Sequence, residues 1–227
     1  MPDILSHQVD TKYCVIHTDL PEERANHYAS FFDGFFNYFS EQYFPLEQKK
    51  PLTVLLFNDA NSYQAFSQQI GASDTRYGYY MGLRKNVIVV NLQSGVGTAT
   101  HELVHHFLAV GQLNHHADWI NEGIPSFFEK FIGCIDDAGD LQVTFGYFSN
   151  WRFPIAKSLI GRFTLADLFQ TDNQSIARSF MLFLHRRGYM KTFVRALYEK
   201  GDHAGPDAIL EDVCNMPLGT IEQEWKK

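Results

Sequence analysis

The sequence predicts an α+β fold, with a small mixed sheet, covering helices and a helical C-terminal lobe. Three observations carry this. Short apolar runs of strand character lie in the first half, and helical spacing of apolar residues dominates after Glu129. Hydrophobic residues make up 45% and charged residues 20%, the balance of a chain that buries a core. A length of 227 residues fits one domain, 1–227. Its strand-bearing part covers 1–97, a pair of central helices 98–132, and the helical lobe 133–227.

Tyr13 to His17 (YCVIH) reads as a first short strand. From Pro21 to Phe44 the pattern is helical. Proline sits where a first turn tolerates it, Glu22 and Glu23 follow, and Tyr28, Phe31, Phe32, Phe35 and Phe39 recur at three and four, as a core-facing stripe does. Leu52 to Phe57 (LTVLLF) is a buried strand. Asn58 or Asp59 then caps a helix running to Ile70, ended by Gly71. Arg76 to Leu92 reads as a hairpin turning near Arg84 to Asn86. Beyond the centre, helices are expected over 164–169, 174–187, 189–200, 206–213 and 217–227, separated by Gly, Pro or Asn.

Composition excludes several roles. A net charge of -7, with no run of Lys or Arg longer than two, argues against nucleic-acid binding, which needs a concentrated basic surface. Cys14, Cys134 and Cys214 are far apart and form no CxxC pair, so neither a disulfide framework nor a thiolate metal site is indicated. The N-terminus lacks a basic stretch followed by an apolar one, and nothing approaches the length of a membrane span. These features lead us to expect a cytoplasmic chain.

The chemistry gathers in the segment THELVHHF, Thr100 to Phe107. Taken as a helix from Val96, with Thr98 as its cap and Gly111 as its stop, it places His101 and His105 about 40° apart around the axis. Both imidazoles can then reach one ion. Glu102 lies about 100° round, too far to be an obvious ligand but placed to approach a water on the metal. With ten histidines in the chain, about 0.02 such HExxH matches are expected by chance. A catalytic zinc needs a third protein ligand. A histidine six residues after His105 would fall at Gly111, so that pattern fails. His115 and His116 sit in a polar turn. Glu122 lies in ADWINEGIPSFFEK, where Ile124, Phe127, Phe128, Phe131 and Ile132 form an apolar stripe with Glu122, Ser126 and Glu129 opposite. Two carboxylates seven residues apart on one face suit a ligand and a partner that orients one, Glu122 and Glu129. A solvated polar face fits the same spacing.

HELVH, followed after sixteen residues by Glu122 in a WINEGIPSFFE context, resembles the gluzincin metallopeptidases, the clan of thermolysin and the zinc aminopeptidases. It is closer still to the peptidase-MA-like group, whose pattern is HELxH, a short gap, then W-[LI]-x-E-G-x-A-x-[YF]-x-E. The matching residues are His101, Glu102, His105, Trp119, Asn121, Glu122, Gly123, Phe127 or Phe128, and Glu129. The similarity extends from about Tyr13 to the end. It implies a zincin-like fold, Zn2+ held by His101, His105 and Glu122, Glu102 as general base, and a peptide or protein substrate. It also implies that the strand over Val87 to Leu92, with Val89, Val90 and Asn91, is the edge on which an extended peptide lies.

Two positions depart from the pattern. Pro125 replaces the usual Ala inside the ligand helix, so that helix begins near Asn121 or bends. Ile176 stands where relatives often carry an oxyanion-stabilising Tyr, leaving Tyr147, Arg152, Arg178 and His185 as candidates, with Tyr147 preferred. Asp118 caps the second helix or orients a ligating histidine. His106 faces away from the pair, and the glycines of SGVGT lack the Lys of a phosphate loop. The expected function is therefore a zinc-dependent metallopeptidase. A catalytically inactive binding module and a zinc hydrolase of a non-peptide amide are the alternatives.

Overall fold

The computed structural model of the chain describes residues 5–72, 75–136, 140–148, 150–200 and 203–227. Residues 1–4 of the N-terminal segment lie outside these. Strands β1 (His7–Asp10) and β2 (Cys14–Thr18) form an antiparallel hairpin. Strand β1 was not expected, because HQVD carries one apolar residue and sits half in water at a sheet edge. Helix α1 (Glu22–Gln42) follows, then β3 (Leu52–Phe57) and α2 (Ala60–Gln69), which Asp59 caps by accepting from Ser62 N–H at 2.8 Å.

The hairpin expected over 76–92 is present. Strand β4 (Gly78–Tyr80) pairs antiparallel with β5 (Val87–Asn91). The connection is a one-turn helix, α3 (Gly82–Lys85), rather than a simple turn, and Asn86 leaves it at φ 57°. Asn tolerates this left-handed geometry better than most residues. The sheet order is β1-β2-β3-β5-β4, with β2, β3 and β5 parallel. The runs LTVLLF and VIVV are apolar without alternation because both faces of the central strands are covered.

Strand β5 is thus an inner strand, held by β3 on one side and β4 on the other. Val89 and Val90 are fully buried, and Asn91 is tied to Gln93 N–H and Arg76 C=O. The substrate-binding role expected for Val89, Val90 and Asn91 is corrected accordingly: their backbone is already paired, and the free edge belongs to β4.

Helix α4 (Val96–Val110) has the expected span, but Gly95, at φ 96°, occupies its N-cap position. Thr98 lies inside the first turn, where its hydroxyl meets Ser94 Oγ at 2.7 Å, so it is not the cap. The second central helix is two pieces, α5 (Asp118–Asn121) and α6 (Gly123–Phe128). Pro125 is the third residue of α6, where its missing N–H has no intrahelical acceptor to lose. The expected stripe therefore ends at Phe128. Phe131 and Ile132 belong to strand β6 (Phe131–Ile135), paired with β7 (Leu141–Phe145), and Ile132 is 64% exposed. The part over 133–227 is thus not wholly helical. Helices α7 (Arg152–Leu159), α8 (Leu165–Leu168), α9 (Gln174–Arg186), α10 (Met190–Lys200), α11 (Pro206–Cys214) and α12 (Leu218–Trp225) complete the chain. No helix among the described residues is long and apolar enough to cross a membrane.

An aromatic cluster positions α4. Phe35 of α1 lies with ring centroids 5.6–5.8 Å from Phe107, Phe128 and Phe145, joining α1 to α4, α6 and β7. Replacing Phe35 with Ala leaves a cavity at this junction. The expected cost is about 3–5 kcal/mol, read as a lower midpoint in denaturant unfolding.

Candidate metal centre

Helix α4 brings Nε2 of His101 and Nε2 of His105 to 3.0 Å. The break between α5 and α6 turns Glu122 toward them. Its carboxylate oxygens stand 3.5 Å from His101 Nε2 and 3.7 Å from His105 Nε2. These three residues are the one group among the described residues whose donor atoms converge as a cation site requires. Ligand atoms at tetrahedral corners about 2.0–2.1 Å from zinc are about 3.3 Å apart, so the observed spacings bracket that value. Two imidazoles and a carboxylate also match the donor set of a catalytic zinc.

Glu129, just past α6, meets Nδ1 of His101 at 3.0 Å, off the line of a good hydrogen bond. The carboxylate is gripped from behind by Arg152, Nε at 3.0 Å and Nη2 at 2.7 Å, and by Asn150 Nδ2 at 3.3 Å. Gly97 makes this approach feasible, since a Cβ there would stand 2.2 Å from the Glu129 carbonyl oxygen. Thr100 donates to the Phe128 carbonyl at 2.9 Å, satisfying a group at the end of α6 and fixing α6 against α4.

The charges divide the two histidines. Burial alone would push His101 down, but Glu122, Glu129 and Glu102 outweigh it and hold the imidazole at about 10. His105 is pushed down to about 4, by burial first and then by the charge on His101. Burial works against ionised Glu129, yet His101 and Arg152 hold its carboxyl down at about 2. Glu122 is likewise lowered, against burial, chiefly by its bond to His101. Glu102 behaves in the opposite way. Burial, with Glu122 and Glu129 adding to it, raises its carboxyl to about 7 against the opposing pull of His101 and the Tyr80 N–H.

His101, Glu102, His105 and Glu122 open into one cavity of about 580 Å3, whose wall includes Tyr80, Asn121 and Gln174. No motif or spacing in the chain pointed to Gln174. Its amide donates to Glu122 at 2.5 Å, across 52 positions of chain that no periodicity connects. Asn121 holds the preceding loop through the carbonyls of His116 and Asn114.

Other expected residues lie elsewhere. His115 and His116 do not join the cation group; His115 Nδ1 is 2.6 Å from the Gln112 carbonyl. Asp118 is exposed and opens α5 behind Ala117, so neither capping nor bracing falls to its side chain; its carbonyl accepts from Glu122 N–H. Tyr147 does not line the cavity, and Arg178 holds its carbonyl at 2.6 Å. Arg178 itself is buried on the Ser126 carbonyl, Arg152 is engaged by Glu129, and His185 packs on Phe127. His106 is buried between Tyr80 Oη at 3.2 Å and Gln48 Oε1 at 3.0 Å, as a packed side chain.

In comparisons with known proteins, no family model matches the chain, and no curated protein matches it either.

Proposed function

We propose that the chain is a zinc-dependent metallopeptidase of gluzincin type. The observation that carries this reading is the convergence of His101, His105 and Glu122 in one cavity with a buried, protonatable Glu102. When bound, zinc supplies a Lewis acid for a carbonyl oxygen and lowers the pKa of water.

The chain's residues do the rest. His105, already neutral, and Glu122 offer lone pairs directly, while His101 yields its proton on loading. Glu129, clamped by Arg152, keeps the His101 ring turned so that Nε2 faces the site. Glu102 takes the proton of the attacking water and passes it to the leaving nitrogen; a carboxyl near 7 suits both directions of that transfer at neutral pH. Edge strand β4 runs beside Glu102, with Gly78 packed against the side chain's Cγ. An extended peptide fits beside that edge as an added strand, which favours a peptide over other amides.

Metal analysis tests the reading. The wild type is expected to bind about one zinc per chain, and Glu122→Ala to bind it roughly a hundredfold or more weakly while keeping its circular dichroism. A wild type that takes up no zinc would falsify the proposal.

A further inference from the structure

A second cavity, of about 810 Å3, lies at the other end of β4. Tyr77, Phe148, Trp151 and Phe153 wall it, and its floor is the first turn of α4 with Glu129 to Phe131. Nine large apolar side chains are exposed among the described residues, and these four are among them, Trp151 at 62%. Single exposed apolar residues need no explanation, but four facing one concavity do. The rings brace one another: Phe148 and Phe153 lie 5.3 Å apart, Arg152 stacks 4.3 Å over Trp151, and Arg186 3.9 Å over Phe148.

The edge strand connects this cavity to the metal centre. Tyr77 lines the aromatic cavity, and Tyr79 and Tyr80 line the other. Gly78 sits between them directly on α4, where a Cβ would stand 2.8 Å from Thr98 Cγ2 and 3.2 Å from Glu102 Cγ. Tyr77, Tyr79 and Met81 face Asn91, Val89 and Val87 as the bonded pairs of the ladder, so the N–H and C=O of Gly78 point outward on the side of Glu102. A strand laid against β4 advances about 3.3 Å per residue, which puts the aromatic cavity within about three residues of the bond beside Glu102.

We infer that this aromatic cavity is the specificity pocket of the site, and that it takes a large aromatic or aliphatic side chain of an extended peptide. The inference rests on the peptidase reading for the peptide backbone. A basic side chain is not favoured, because the one carboxylate in the wall, Glu129, is already engaged by His101 and Arg152. A volume of about 810 Å3 walled by aromatic rings suits a bulky apolar side chain rather than a small one.

The test is calorimetric binding of short alanine-glycine peptides, carrying Phe, Leu, Ala or Asp at one position, to the full chain bearing Glu102→Gln, so that no cleavage intervenes. The Phe and Leu peptides are expected to bind about tenfold or more tightly than the Ala peptide. Trp151→Ala, and separately Phe153→Ala, which leaves the Arg152 stack untouched, are expected to erase that preference. Absence of peptide binding, equal affinities, or a preference that survives both substitutions overturns the inference. Wild type then separates the two proposals. Cleavage without preference at any position sinks the pocket and keeps the peptidase, whereas discriminating binding without cleavage does the reverse.

Discussion

Glu102→Gln is expected to keep about one zinc per chain and to lose about 10²–10⁴-fold in peptide hydrolysis. The substitution preserves the volume and shape of a buried side chain that lines the cavity. It cannot accept the proton of the attacking water. Removing a negative charge beside His101 also withdraws one of the charges that hold its proton, so the ring gives up that proton to the metal more readily and metal affinity is not expected to fall. The readouts are metal content, and kcat and KM on a cleavable peptide. Loss of kcat with KM little changed identifies a proton-transfer role. A variant that loses zinc along with activity would assign Glu102 to binding instead.

Metal loading is expected to be proton-coupled through His101. In the metal-free fold its imidazole is raised to about 10, so it stays protonated across the neutral range. A raised pKa means the proton competes with the metal below about 10, and affinity therefore climbs as pH rises. The expected climb is about tenfold per pH unit between about 6.5 and 8.5. Two ordinary imidazoles would level off above about 7.5. His105, held down at about 4, contributes nothing to this slope. Glu129→Gln removes one of the carboxylates that hold the proton, so its slope is expected to flatten, and comparing the two variants cancels any proton lost by solvent. Competition titrations with a zinc indicator at several pH values measure it. A wild-type affinity that levels off above about 7.5, as two ordinary imidazoles would, would show that His101 is neutral before the metal arrives.

Much of the site was readable from local spacing. HELVH places two imidazoles on one side of a helix whatever surrounds it, because 3.6 residues per turn is a property of the backbone. The helical repeat of Phe31, Phe35 and Phe39 likewise marked α1, and LTVLLF marked β3. Readings that depended on neighbours fared differently. The stripe Ile124 to Ile132 has helical spacing, yet Phe131 and Ile132 pair with Thr144 and Phe145 in a hairpin. Short apolar runs satisfy either period, and the choice falls to whichever partner buries them.

The sequence by itself determined that His101, Glu102 and His105 share one helix and that a second carboxylate-bearing segment follows it. Tertiary structure alone decided that β4 rather than β5 is the free edge, that Arg152 secures Glu129 behind His101, and that Gln174 reaches Glu122. The physical reason is range. Periodicity encodes which side of its own element a residue faces, whereas strand order and contacts across 23 or 52 positions depend on how separately formed elements bury one another's apolar faces.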